Sequence, residues 1–180
     1  MVRYIQRKHK DDELNLAIQY EPGQWAQLIS PSTEEIQALS EELSLESSLL
    51  KDATDLDEMP RFEIEDDNAY LYTRFAWRST HGNIQTEPVL FVIGSAAFVS
   101  LTNRSFEPLE SLLERQKQLT TNRPKHLLLP SLNVCIQSYS NQLAYVGRQI
   151  RTARNSLRDE KFSNKHFVRF VEIEDILNDF

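Results

Sequence analysis

Residues 131–157 read SLNVCIQSYSNQLAYVGRQIRTARNSL, and this stretch decides the fold class of the second half of the chain. Its apolar residues recur at alternating steps of four and three, which is a heptad pattern. The members are Leu132, Ile136, Tyr139, Leu143, Val146, Ile150, Ala153 and Leu157. Such a stripe indicates a helix whose apolar face needs a partner; at 1.5 Å per residue the helix would be roughly 40 Å long. The partner could be a sheet, another helix of the chain or a neighbouring subunit.

Helices are also predicted on both sides of this stretch. Pro108 lies in the first turn of a helix that runs to about residue 119, a position where proline is tolerated. A break at 120–124 separates it from the heptad helix, and a polar interruption follows at 155–164. A last helix is predicted from Phe167, Phe170, Ile173, Leu177 and Phe180. Because no capping residue ends this pattern, we expect the chain to be cut before a longer C-terminal part.

The first half of the chain carries strand patterns with helical insertions between them. Ser32 followed by Glu35 fits a capping box, which begins a helix, and Asp66-Asp67-Asn68 predicts a hairpin turn. The segments with apolar or alternating residues at strand length are 3–7, 14–20, 25–29, 61–64, 69–77, 84–93 and 97–101. We therefore predict an α/β fold with all strands before residue 105. A mixed β-sheet is covered by helices on both faces, as an αβα sandwich, and long C-terminal helices follow.

Two regions are expected on this basis. Residues 1–122 would form the α/β sheet domain, and residues 123–180 a long helical segment that packs on it. The longest apolar run, Pro88 to Val99, is much shorter than the roughly 20 residues that cross a bilayer. Any membrane part of the protein is therefore expected to lie outside this sequence.

Charge and cysteine content exclude several classes of protein. The 20 basic and 27 acidic residues give a net charge of −7, which disfavours binding to nucleic acid and favours attraction of small cations. The single cysteine, Cys135, cannot form an intrachain disulfide, and its place beside the heptad stripe predicts buried packing. Glycine-rich phosphate loops, zinc-binding helices and nucleophile elbows are absent from the sequence. We therefore expect no enzyme, no catalytic residues and no bound nucleotide.

An acidic run is the one candidate site for a metal ion. Asp52, Asp55, Asp57 and Glu58 place four carboxylates within seven residues. Mg²⁺ prefers oxygen ligands and keeps several waters, so one or two carboxylates are enough to hold it. The alternative interpretation is a solvated loop beside a helix end.

Several motifs, taken in order along the chain, resemble the CorA family of magnesium and cobalt transporters. The chain shares the family's W…P-(S/T)-x-E-E element, its L-x-x-D segment, the P-K/R-x-E segment that follows and a later L-L-x-x-L helix start. These lie at Trp25 with 31–36, at 49–52, at 60–63 and at 127–139, with residues 174–177 in the succeeding helix.

The resemblance implies a role in transport of divalent cations. Family members are homopentameric channels with a cytoplasmic α/β domain, a long stalk helix and two membrane helices, at the cytoplasmic face of the cell membrane. Mg²⁺ or Co²⁺ held between neighbouring cytoplasmic domains keeps the channel closed. Asp52 matches a family ligand for such an ion, with Asp55 and Asp57 as weaker candidates, although Lys51 stands where the family often has an acid. The alternatives are a free-standing interaction module with a helical arm and, third, an enzyme of unrecognised type.

Overall fold

The computed structural model describes residues 1–80, 82–95, 97–158, 168 and 171. In it, seven strands form one mixed sheet, and all of them lie before residue 105. The strands are β1 (Val2–Gln6), β2 (Asn15–Ala17), β3 (Trp25–Ile29), β4 (Arg61–Glu65), β5 (Asn68–Arg78), β6 (Ile84–Ile93) and β7 (Phe98–Thr102). Their spatial order is β2-β1-β3-β7-β6-β5-β4. β3 and β7 pair in parallel, whereas β1 with β2, β1 with β3, β4 with β5 and β6 with β7 pair antiparallel. The predicted mixed sheet is confirmed.

Five helices complete the described chain. They are α1 (Thr33–Leu43), α2 (Ser47–Asp52), α3 (Glu107–Glu110), α4 (Leu112–Arg115) and α5 (Pro124–Arg158). Two compact units result, residues 1–75 with 87–135 and residues 76–86 with 136–180. The described helices include none that is long and apolar enough to cross a membrane.

Both faces of the sheet are covered within the first unit. The even-numbered residues Ala26 and Leu28 of β3 belong to one apolar cluster with residues of α1 and α2. Side chains alternate between faces along a strand, so Trp25 lies on the other face, where its Nε1–H donates to the Ser100 hydroxyl at 2.9 Å. On that face Phe75 stacks on Phe106, just before α3, at 4.0 Å between ring centroids. The predicted αβα arrangement is confirmed.

Two local predictions are also confirmed. The Ser32 hydroxyl accepts from the backbone N–H of Glu35, and the Glu35 carboxylate accepts from that of Ser32, which is the capping box of α1. Asp66 and Asp67 connect β4 and β5 with φ values of +48° and +64°. Short acidic side chains tolerate this left-handed conformation, which a two-residue hairpin turn requires.

Element boundaries differ from the predictions in three places. The strand predicted at 14–20 covers only Asn15–Ala17, at a sheet edge where Leu16 is 68% exposed. The single helix predicted from Pro108 to about 119 is two short helices that end at Arg115. The heptad helix begins at Pro124 instead of residue 131, because proline fits a first helical position, where its missing N–H is not needed, and Pro130 is accommodated inside the helix.

The heptad stripe is not a continuous buried face. In the second unit Val146 is 3% exposed and packs with Ile84 and Tyr145, whereas Ile136 and Leu143 are 63% and 49% exposed. The buried side instead includes Ser138, whose hydroxyl accepts from the backbone N–H of Ala76 at 2.8 Å. The side chains of two stripe members, Ala153 and Leu157, lie outside the described residues, as does the apolar pattern predicted to form the last helix.

Candidate functional site

The acidic run forms an exposed connector between α2 and β4, and we call residues 52–58 the acidic connector. Asp52 is the last residue of α2. Its backbone carbonyl accepts from the N–H of Asp55 at 3.0 Å, and the Asp55 carboxylate accepts from the N–H of Asp57 at 3.0 Å. Asp55 and Asp57 therefore lie on tight exposed turns. The Asp55 carboxylate is partly engaged in the hydrogen bond that holds the turn.

Arg61, the first residue of β4, gathers three carboxylates at the end of the acidic connector. Its Nη2 donates to Asp52 Oδ2 at 2.7 Å, and its other guanidinium nitrogens bind Glu58 and Glu63. The side chain of Asp52 is 45% exposed and that of Arg61 30% exposed. Asp52 is thus paired with a cation of its own chain while part of it stays open to solvent.

Tyr72 supports Arg61 from the neighbouring strand. The two residues are direct cross-strand partners, and the guanidinium carbon lies 3.9 Å from the centre of the Tyr72 ring. The Tyr72 hydroxyl donates to the Leu49 carbonyl at 2.6 Å, and burial raises its pKa, so the ring stays neutral and anchored. Burial of Arg61 opposes its ionisation, but hydrogen bonds to Glu63 and Asp52 outweigh this effect and raise the pKa of Arg61.

The backbone of the acidic connector is held separately from its carboxylates. Arg74 donates to the carbonyls of Glu58 and Leu56 at 2.7 and 2.9 Å. Asn103 donates to the carbonyl of Ala53 at 2.9 Å. These bonds fix the path of the chain, so changes in the charged groups need not unfold the loop.

The residues present fit a part of a divalent-cation site. A magnesium ion keeps several waters and takes one or two carboxylates, and Asp52 offers one that is partly exposed. Among the described residues, no three His, Cys, Asp or Glu side chains converge as a metal site would require. Within this part of the chain, Asp52 therefore offers one carboxylate and not a converging set of ligands.

Sequence reasoning named Asp52, Asp55 and Asp57 but missed Arg61, Arg74 and Tyr72 as their surroundings. Alternation along β4 does place Arg61 and Glu63 on one face, so that part was open to prediction. The end of α2 meets this face because of the way α2 packs on the sheet, and no local sequence pattern predicts that packing.

Cys135 is buried, as predicted, at 3% exposure. Burial raises the pKa of its thiol to about 12. The thiolate is the nucleophilic form, so this side chain is a packing residue at neutral pH.

Solved structures with the same fold include a CorA magnesium transporter and a ZntB cytoplasmic domain. The complete CorA magnesium transporter from Methanocaldococcus jannaschii matches with a TM-score of 0.81 and 17% identity, over 100% of this chain and 58% of its own length. The soluble domain of that CorA gives 0.79 and 17%, over 98% and 72%. The ZntB cytoplasmic domain from Vibrio parahaemolyticus gives 0.63 and 13%, over 85% and 66%. The fold is thus the one found in the soluble domain of that CorA and in the ZntB cytoplasmic domain.

Family membership rests on the sequence itself. The profile of the family described as CorA-like Mg2+ transporter protein matches residues 21–180. No curated protein matches the chain by sequence. The chain belongs to the CorA-like Mg²⁺ transporter family, and it spans 58% of the length of the complete CorA structure.

Proposed function

We propose that this chain is the cytoplasmic regulatory domain of a CorA-like transporter of magnesium or related divalent cations, such as Co²⁺. In this proposal it senses the cytoplasmic cation concentration and gates a pore formed elsewhere in the protein. The family match over residues 21–180 supports the proposal. Residues 1–122 would act as the sensing domain, and residues 123–180 would lead toward a stalk and membrane helices at the cytoplasmic face of the cell membrane.

The observation that carries the sensing role is the position of Asp52. It lies at the end of α2 and is 45% exposed, and the family resemblance, which matches it to a regulatory ligand, supports this role. An isolated exposed carboxylate binds Mg²⁺ weakly, whereas carboxylates from two adjacent subunits of a homopentamer can converge on one ion. An ion that bridges two negatively charged domains offsets their repulsion, and its loss shifts the population toward an open state. Asp55 and Asp57 are weaker candidates for the same ion.

The test uses the assembled full-length protein with Asp52→Asn, and transport is measured against the internal Mg²⁺ concentration. We expect part of the Mg²⁺-dependent closure to be lost while transport itself is retained. Asp67→Asn is the matched control, because it removes one exposed carboxylate from the turn between β4 and β5. Closure that is unchanged in Asp52→Asn, or equally weakened in the control, would refute a specific role for Asp52.

A further inference from the structure

The acidic connector already contacts a cation, the guanidinium group of Arg61. This group is hydrogen-bonded to Asp52, Glu58 and Glu63 and stacked on Tyr72. We propose that Arg61 is the resident counter-cation of Asp52, and that a divalent cation competes with Arg61 for this carboxylate. The inference rests on the proposed function, in which Asp52 is a regulatory ligand. In it, Arg61 sets the concentration of divalent cation at which the Asp52 carboxylate is occupied.

The competition follows from the contact between the two side chains. Asp52 Oδ2 lies 2.7 Å from Arg61 Nη2, so one of the two carboxylate oxygens that could bind a metal ion already accepts from an N–H donor. A guanidinium group is charged at all physiological pH values. Binding of a divalent cation at the same carboxylate therefore costs the Asp52–Arg61 hydrogen bond and brings two positive charges close together, which repel each other.

Asp52 is one of the two more exposed partners, which Arg61 can release more readily than the less exposed Glu58. Its side chain is 45% exposed, compared with 41% for Glu63 and 14% for Glu58. After Asp52 turns away, Arg61 would keep Glu58, Glu63 and the face of Tyr72, and it would not become a buried unpaired charge. Arg61 can therefore release Asp52 to a divalent cation while both Arg61 and Asp52 keep an oppositely charged partner.

The acidic connector does not depend on Arg61 for its backbone path. Arg74 holds the carbonyls of Leu56 and Glu58, and Asn103 holds that of Ala53. Substitution of Arg61 is therefore expected to change the availability of Asp52 more than the course of the chain.

The test measures Mn²⁺ binding to the assembled full-length protein, with free Mn²⁺ followed by electron paramagnetic resonance and MgCl2 as competitor. In Arg61→Gln we expect the half-saturating concentration to fall roughly twofold to fivefold, the range set by loss of a partly exposed ion pair and its charge. Lys51→Gln is the matched control, because it removes the same charge beside Asp52 without breaking the Asp52–Arg61 pair. In this control we expect a fall of less than about twofold.

Two further variants separate the possible failures. Arg61→Lys keeps the charge but loses the forked geometry, so an intermediate fall is expected even if Arg61→Gln folds poorly. If Arg61→Gln and Arg61→Lys bind no more tightly than Lys51→Gln while Asp52→Asn still weakens binding, the inference is overturned and the proposed function stands. If the gain in Arg61→Gln persists in the double variant with Asp52→Asn, Asp52 is not the ligand, and both ideas fail.

Discussion

The strands at the centre of the sheet and the second part of helix α5 bury their apolar residues to very different extents. All five residues of β3 and all five of β7 are buried. Between 136 and 158 in α5, the side chains that the structure describes as buried are Ser138 and Val146, while Ile136, Leu143 and Ile150 stay 63%, 49% and 36% exposed. The sheet core is thus completed within the described chain, whereas the helix keeps an exposed apolar line at seven-residue spacing. A heptad line of this kind is the surface that a further helix or subunit would cover.

The largest expected effect is a large-to-small change in the sheet core. Phe91 in β6 is fully buried, and its ring stacks on Phe98 with 5.8 Å between centroids. Phe91→Ala should lower the free energy of unfolding by about 3–5 kcal/mol, since it removes apolar burial and leaves a cavity. Urea denaturation followed by circular dichroism measures the change.

The control for this prediction is a phenylalanine on the exposed edge of the same sheet. Phe62 in β4 is 58% exposed, so Phe62→Ala should change the unfolding free energy by no more than about 0.5 kcal/mol. Equal losses in the two variants would show that the contrast between core and surface does not govern stability in this chain.

A smaller effect is expected in helix α5, where alanine substitutions at two positions three residues apart should lower the free energy of unfolding by different amounts. Val146 is 3% exposed and packs with Ile84 and Tyr145, so Val146→Ala should cost about 1–2 kcal/mol. Leu143→Ala, at a 49% exposed position, should cost less than about 0.5 kcal/mol. Thermal unfolding of the two variants compares them directly. A larger loss for Leu143→Ala would mean that the exposed line is already covered in solution, for example by a second copy of the chain.

The two regions also differ in how far the sequence predicted them. Strand positions and the capping box at Ser32 follow from local pattern, because alternation and capping chemistry act over a few residues. The buried side of α5 did not follow, because the heptad spacing marks apolar residues but does not say which of them meet a partner. Leu143 and Val146 belong to the same stripe, and tertiary packing alone makes one exposed and the other buried.

The candidate site divides in the same way. Composition was enough to single out Asp52, Asp55 and Asp57, since clustered carboxylates are visible in the sequence. The pairing of Asp52 with Arg61 is set by the approach of α2 to β4, across nine positions of the chain. Local pattern therefore identified the cluster of carboxylates but did not predict which carboxylate is paired with a counter-cation.

The smallest expected effect concerns the end of a helix in the sheet region, where stability comes from a charged cap in addition to packing. The Glu35 carboxylate accepts from the N-terminal ammonium of Met1 at 2.9 Å and from the backbone N–H of Ser32 at 3.0 Å. The first of these bonds, and then the second, lowers the pKa of Glu35 below its usual value. A carboxyl group whose pKa is lower in the folded state stabilises the fold above its unfolded pKa of about 4.3, and this contribution is lost as pH falls through the folded value.

Glu35→Gln removes this titration but keeps an acceptor oxygen for the cap. Its unfolding free energy should therefore depend less on pH than that of the unchanged chain, and the difference between the two should shrink as pH falls from about 5 toward 3. Acetylation of the N-terminus removes the charge of the ammonium group alone. It should therefore abolish the larger share of the difference in unfolding free energy between the unchanged chain and Glu35→Gln at neutral pH. Parallel pH profiles for the two chains would contradict the assignment, because they would mean that Glu35 gains nothing from its charge. The stability of α1 would then rest on the neutral hydrogen bonds of its capping box and on its packing against the sheet.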